Sequence, residues 1–243
     1  YTGLALLLLV VYGWFSYVVN ESEGGLYDAQ VDMSFRWGMA WFIFSEVMFF
    51  AAFFGALYYA RELSLPWLAG EGSKVSTNQE LWPTFENVWP SNGPANVGGE
   101  FIVMKAAGIP ALNTIILLIS GLTVTWAHHG LKEGKRNQLI LGLTATVLLG
   151  FIFVGFQAYE YSHAYNDLNL KMTSGMYGST FYMLTGFHGF HVTLGAIMLT
   201  VILFRCIRGH FTNENHFGFE AVAWYWHFVD VVWLGLFVFV YWL

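Results

Sequence analysis

Charged residues and cysteine are scarce in this chain of 243 residues. Asp, Glu, Lys and Arg make up 11% of the residues, against about 25% in a typical soluble domain, and 56% are hydrophobic. The single cysteine, Cys206, excludes an intrachain disulfide and any metal or iron–sulfur site that needs several thiolates. The ten Lys and Arg residues form no basic stripe, so nucleic acid is not a predicted partner. This is the composition of a polytopic membrane protein.

Sequence motifs of soluble enzymes are absent as well. There is no Gly-rich phosphate loop, no Ser/His/Asp arrangement and no CxxC pair. The alternating pattern of a membrane β-barrel is also missing, and an open sheet would leave backbone groups unsatisfied in hydrocarbon. We therefore predict an all-α, polytopic helical bundle. Its six spans are predicted at residues 1–19, 37–60, 106–127, 139–159, 172–204 and 221–243.

The second apolar run, residues 37–60, has one formal charge, Glu46, near its middle. A helix of this length spans roughly 36 Å and crosses a bilayer core of about 30 Å. A carboxylate at that depth costs about 2.5–3.5 kcal/mol on insertion scales. We therefore expect Glu46 to be neutral, or directed at protein, lipid headgroups or water. Two interpretations stay open: an acid that helps helices pack, or a residue tied to proton movement, to lipid or to a partner subunit.

Basic residues indicate which way the spans run. Residues 128–138 and 205–216 carry five of the ten Lys and Arg residues, and Arg36 lies on the same side. The positive-inside rule predicts that these two loops are cytoplasmic and that the connection at residues 62–105 is periplasmic. That connection holds four of the five prolines, so we predict turns rather than helix. It is either a surface lid or a docking surface for a partner.

Several polar residues lie inside the last two predicted spans. His188 and His191 are three positions apart, as are His227 and Asp230, so each pair shares one helix face. Histidines on separate membrane helices permit haem or copper ligation, and they also serve as hydrogen-bonding groups between helices. Both interpretations remain open from the residues alone.

A surface zinc site is a further possibility. His128 or His129, together with His216 and Glu220, all fall near the predicted cytoplasmic ends of spans. Imidazole and carboxylate are suitable zinc ligands. Interfacial histidines are also common without a metal, so the main prediction is that the chain holds no metal.

Four stretches carry a family resemblance: FIFSEVMFFAAFF, PALNTIILLISGLTVTWAHHGLKEGKR, GSTFYMLTGFHGFHVTLG and HFGFEAVAWYWHFVDVVWL. Together they resemble cytochrome c oxidase subunit III of the haem–copper terminal oxidases, over nearly the whole chain from about Arg36 onward. Residues 1–20 look like the second of that family's seven helices. The long connection at residues 62–105 looks bacterial, which implies a bacterial inner membrane.

The resemblance implies a non-catalytic subunit without haem or copper of its own. It would pack on subunit I, with subunit II and possibly small accessory subunits nearby, and haem and copper would belong to those partners. Two helix groups with a V-shaped lipid cleft between them are implied, here residues 1–33 and the five-helix bundle 34–243. The subunit would bind phospholipid and support proton uptake and stability during turnover.

The resemblance also suggests roles for particular residues. Glu46 would face the lipid cleft, and Arg205, Arg208 and His210 would contact lipid headgroups. Where the family usually has basic residues after its second helix, this chain has Glu21 and Glu23. We expect these two carboxylates to collect protons. Two alternatives remain. One is the equivalent subunit of a ubiquinol oxidase, and a dicopper site in the neighbouring subunit II would instead indicate cytochrome c as the electron donor. The other, more remote, is an independent transporter or proton channel.

Overall fold

The computed structural model describes residues 1–242 and contains no strand within them. Six of its helical segments are long and apolar enough to cross a membrane, which confirms the prediction of an all-α polytopic bundle with six spans. Helix α1 is Thr2–Glu23 and α2 is Ala29–Tyr58. After α2 come a π-helical turn, Tyr59–Ser64, then α3, Leu65–Leu68, a 3₁₀ turn, Gly72–Lys74, and α4, Val75–Leu81. The remaining helices are α5, Ile109–Lys132, α6, Arg136–Asn166, α7, Gly175–Arg208, and α8, Phe217–Leu236, which continues as a π-helix, Phe237–Trp242.

The helices extend beyond the apolar runs that predicted them. The second span covers Ala29–Leu68 rather than residues 37–60. Helices α5 and α6 take up most of the predicted loop at 128–138, so only residues 133–135 connect them. The prediction of turns rather than helix is wrong for residues 62–81, which hold the end of the π turn, α3, the 3₁₀ turn and α4. Pro66 lies in α3 directly after the π turn, and because it has no N–H it cannot donate a hydrogen bond to the preceding turn of this continuous helical segment.

Helices α5 to α8 form the packed body of the molecule. Helix α2 packs against α7 and α8, and α5 and α6 form a close antiparallel pair. Helix α2 buries only Phe50 and Leu57, and none of the residues of α1 is buried. The apolar side chains of α1 and most of those of α2 thus point out of the bundle, as lipid-facing or partner-facing residues do.

Trp226 lies where four helices meet. Its side chain is 0% exposed, and its indole Nε1–H donates to Ser120 Oγ of α5 at 2.9 Å. Gly150 of α6 and Gly195 of α7 flank the ring so closely that a Cβ at either position would lie 2.8 Å from it. Small residues at such positions let membrane helices approach one another. Here they make room for one large side chain of α8.

The connection before α5 packs on the start of α7. Trp89 meets the ring of Tyr177 edge-on at 5.5 Å between centroids, and Phe101 stacks on the same ring at the same distance. The backbone N–H of Tyr177 donates to the carbonyl of Ser91 at 3.2 Å. Part of the connection therefore covers one end of the bundle.

Asp28 starts α2. Its Oδ1 accepts a hydrogen bond from the backbone N–H of Val31 at 2.8 Å, the contact of an N-cap. We expect Asp28→Ala to destabilise this helix start by about 1 kcal/mol, because one N–H loses its acceptor. Hydrogen exchange of the first-turn amides measures the effect. Asp28→Asn keeps an acceptor and should exchange as slowly as the unchanged chain; equal exchange in Asp28→Ala would show that the cap contributes nothing.

Candidate functional site

Glu46 and His191 form a polar pair between α2 and α7. Glu46 Oε2 lies 2.9 Å from His191 Nε2, and the Glu46 side chain is 22% exposed whereas that of His191 is 8% exposed. The ring of His191 is enclosed by aromatic side chains, among them Phe50 in edge-on contact and Tyr225 in stacked contact. The carboxyl group predicted at mid-span therefore has a specific protein partner.

The other ring nitrogen of His191 shows how this pair carries its protons. Nδ1 lies 2.6 Å from the backbone carbonyl of Phe187, and a carbonyl only accepts, so Nδ1 holds a proton. Nε2 then either receives a hydrogen bond from a protonated Glu46 or donates one to a Glu46 carboxylate. Both arrangements have zero net charge. Pairing in this way reduces the cost of an acid inside the membrane, because no isolated charge is buried.

The other polar residues predicted inside the last two spans, His188, His227 and Asp230, each have a polar neighbour. His188 is fully buried beside Trp233, and its Nε2–H donates to the carbonyl of Val229 at 3.1 Å. His227 lies 3.2 Å from Thr125 Oγ1, and its Nδ1 lies 3.7 Å from Asp230 Oδ2. Within residues 1–242 these histidines do not join any set of three convergent metal-ligand atoms.

The end of α7 and the end of α1 come together. Glu23 contacts the imidazole of His210, and its Oε1 lies 3.7 Å from Arg205 Nη2. The guanidinium of Arg205 also lies over the ring of Phe211, 4.4 Å from its centroid. Arg208, one turn along, is exposed. Two residues predicted to contact lipid are thus in contact with one predicted to collect protons, and all three roles stay predictions.

Glu21, the second predicted proton collector, lies beside Tyr27. The phenol of Tyr27 donates to Glu21 Oε2 at 2.9 Å. Burial, with the neighbouring Glu21 carboxylate adding to it, raises the pKa of the Tyr27 phenol, so this phenol stays a hydrogen-bond donor. Glu21 itself is exposed to solvent.

His128, His216 and Glu220 converge at the junction of α5 and α8. Glu220 Oε1 lies 3.5 Å from His128 Nε2 and 3.4 Å from His216 Nε2. The other carboxylate oxygen of Glu220 forms an ion pair with Arg36 of α2. His129, the alternative to His128 in the sequence prediction, is exposed and outside this set.

Two residues that the sequence did not assign to any site, Arg36 and Glu160, are prominent in the fold. Arg36 links α2 to α8 through Glu220, and its Nε also lies 2.7 Å from Asp32. The Arg36–Asp32 contact could have been predicted from its i, i+4 spacing in the sequence. The Arg36–Glu220 contact could not, because it joins distant parts of the chain. Glu160 of α6 is fully buried and accepts a hydrogen bond from Tyr241 at 2.6 Å.

Comparisons with known proteins agree on one family. The family model for cytochrome c oxidase subunit III matches residues 1–243. The chain is 45% identical over 241 residues to "Cytochrome c oxidase subunit 3" from Tetraodon nigroviridis and to that from Gadus morhua, covering 99% of this chain and 82% of each relative. It is also 45% identical over 239 residues to the protein of the same name from Chondrus crispus, covering 97% of this chain and 77% of the relative.

These relatives are eukaryotic, so the predicted bacterial inner membrane stays a prediction, whereas the six apolar helices indicate an integral membrane protein. The family resemblance seen in the four sequence stretches is confirmed over the full length of the chain. By its match to the family model and its identity to these relatives, the chain belongs to the cytochrome c oxidase subunit III family.

Proposed function

We propose that this chain is a non-catalytic subunit of a proton-pumping cytochrome c oxidase, and that it supports proton uptake and durability of the enzyme during turnover. The observation that carries this proposal is the neutral pair of Glu46 and His191 inside a membrane span. The pair holds a transferable proton in a region otherwise built from apolar side chains. The relatives are named as oxidase subunits with cytochrome c as the electron donor, which favours cytochrome c over ubiquinol here.

A contact with the catalytic subunit follows from the exposed side of Glu46. Its side chain is 22% exposed even though His191 takes one carboxyl oxygen. An acid in the membrane interior needs further polar neighbours, supplied by water, lipid headgroups or another protein. Helices α1 and α2 also present apolar side chains outward, including Trp37 and Trp41 of α2. We propose that lipid and subunit I share this surface, and that haem and copper belong to the partner subunits.

Phospholipid binding is proposed for the end of α7. Arg208 is exposed there, next to Arg205 and His210. Guanidinium groups suit phosphate because they donate two parallel hydrogen bonds, and each cation near an anionic headgroup contributes about 1 kcal/mol. Glu23 competes for Arg205 and His210, so Arg208 is the residue most open to a phosphate. This end would face the cytoplasm or its equivalent compartment.

Glu46→Gln tests the carboxyl directly in the purified oxidase. The amide can still donate to His191 Nε2, so we expect the complex to assemble in unchanged amount. Labelling of this chain by a hydrophobic carbodiimide, which reacts with membrane-buried carboxyl groups, should be lost. Mass spectrometry of the labelled chain measures this. Glu160→Gln is the matched control and should keep the label; loss of label in the control and persistence in Glu46→Gln would show that Glu46 is the wrong carboxyl.

The proposed role itself is tested by removing the chain from the complex. Oxygen consumption should start at the same rate but decay sooner, and proton uptake should be slower at alkaline pH. Adding back the unchanged chain should restore both properties, and adding back Glu46→Gln should restore durability less well. An identical lifetime and pH profile with and without the chain would contradict the proposal.

A further inference from the structure

The cluster of His128, His216 and Glu220 has a geometry that hydrogen bonding alone does not account for. The Nε2 atoms of both histidines are buried and have no hydrogen-bond partner within the described residues. Each points at the same carboxylate oxygen from 3.4 to 3.5 Å, which is long for a charge-assisted hydrogen bond. Buried polar atoms that converge without forming hydrogen bonds need an explanation, and a bound ion is one such explanation.

The separations match those around a tetrahedral zinc ion. Zinc binds imidazole nitrogen and carboxylate oxygen at about 2.0–2.2 Å, which puts neighbouring ligand atoms roughly 3.3 Å apart. Glu220 Oε1 already lies 3.4 Å and 3.5 Å from the two Nε2 atoms. The three ligand atoms all lie within 4.8 Å of one another. A modest approach of the two imidazole rings, whose centroids are 5.5 Å apart, completes the arrangement.

Surrounding contacts prepare two of these side chains as ligands. Nδ1 of His216 lies 3.1 Å from the carbonyl of Thr212, so Nδ1 carries the proton and Nε2 presents its lone pair to the cluster. Arg36 forms an ion pair with the other oxygen of Glu220, which fixes the orientation of the carboxylate. Hydrogen-bond partners that contact the far side of a ligand side chain fix the tautomer and the orientation of that side chain. The positive charge of Arg36 also repels a cation bound at the cluster, so Arg36 both orients the Glu220 carboxylate and weakens cation binding.

We propose that His128, His216 and Glu220 form a zinc site with two imidazoles and one carboxylate, whose fourth position is open to water or to a ligand from outside the chain. Histidine and carboxylate without thiolate suit zinc. The His128 side chain is 20% exposed, so an ion can reach the cluster. Occupied, the site joins α5 to α8 and, through Arg36, to α2.

Zinc stoichiometry in the purified oxidase provides the test. Equilibrium dialysis against zinc, followed by elemental analysis, should give one ion fewer per complex in His128→Gln and in His216→Gln than in the unchanged protein. Partner subunits can bind zinc as well, so the difference between variants is the measured quantity. Competition with a chromophoric chelator should show at least about 10-fold weaker binding at this site in Glu220→Gln.

His129→Gln is the matched control, because it removes the neighbouring exposed histidine and leaves the cluster intact. It should retain the full zinc stoichiometry. If His216→Gln fails to assemble, the half-buried His128 still carries the test, and zinc-edge anomalous scattering from crystals of the unchanged complex locates the ion directly. Equal stoichiometry in all variants, or loss in His129→Gln only, would overturn the proposal.

Discussion

Trp226→Ala is expected to lower the free energy of unfolding of this bundle by about 3–5 kcal/mol. The indole is fully buried between Gly150 and Gly195 and donates to Ser120, so its removal opens a cavity where four helices meet. The hydroxyl of Ser120 keeps a second partner, the carbonyl of Leu117 at 2.6 Å, so the loss comes chiefly from the cavity. Denaturation of the detergent-solubilised complex, followed by the helical signal of this subunit, measures the change.

Trp224→Ala is the matched control for this prediction. Trp224 lies on the same helix, two residues away, but is 37% exposed. Its removal leaves no enclosed cavity, so the transition should shift much less. Equal shifts for the two substitutions would mean that the packing of Trp226 between the glycines does not determine the stability of the bundle.

Tyr241→Phe is expected to cost about 1.5–3 kcal/mol, the range for a hydrogen bond to a charged or strongly polar group. Its hydroxyl donates to Glu160 Oε1 at 2.6 Å, and the other oxygen of Glu160 has no hydrogen-bond partner among the described residues. Losing the one donor would leave a fully buried carboxyl group unsatisfied. The same denaturation experiment measures the effect.

Glu160→Gln keeps the shape of this side chain and an acceptor for Tyr241, but removes the acid. The amide oxygen can still accept from Tyr241, so we expect a smaller loss than in Tyr241→Phe. In the double variant, Glu160→Leu with Tyr241→Phe, both polar partners are removed, and stability should recover part of the loss. A Tyr241→Phe protein as stable as the unchanged one would show that this hydrogen bond adds nothing.

The class and number of helices could be predicted from sequence because a bilayer-spanning helix needs about 20 apolar residues in succession. Helix ends could not be predicted from the apolar runs. Backbone hydrogen bonds continue a helix beyond its apolar residues, and α6 accordingly includes the polar residues Arg136–Gln138. Residues 62–81 illustrate the same limit, since glycine and proline there lie at the ends and first turns of short helices rather than in continuous turns.

Local spacing predicted local contacts, and contacts between distant spans needed the fold. His227 and Asp230 are three positions apart and face each other as expected. Glu46 and His191 are 145 positions apart, and Arg36 and Glu220 are 184 apart. The rotation of each helix about its axis sets such contacts, and packing fixes that rotation. For the same reason sequence left His128 and His129 as alternatives, although they point about 100° apart on a helix.

The zero net charge of the Glu46–His191 pair has an electrical consequence. Transfer of its proton between Oε2 and Nε2 covers at most the 2.9 Å that separates them. Across a hydrocarbon core of about 30 Å this is about a tenth of the thickness, and a full unit charge crossing 100 mV gains about 2.3 kcal/mol. A voltage of that size therefore biases the proton by only about 0.2 kcal/mol, less than thermal energy. A membrane potential of that size therefore hardly changes which of the two atoms holds the proton.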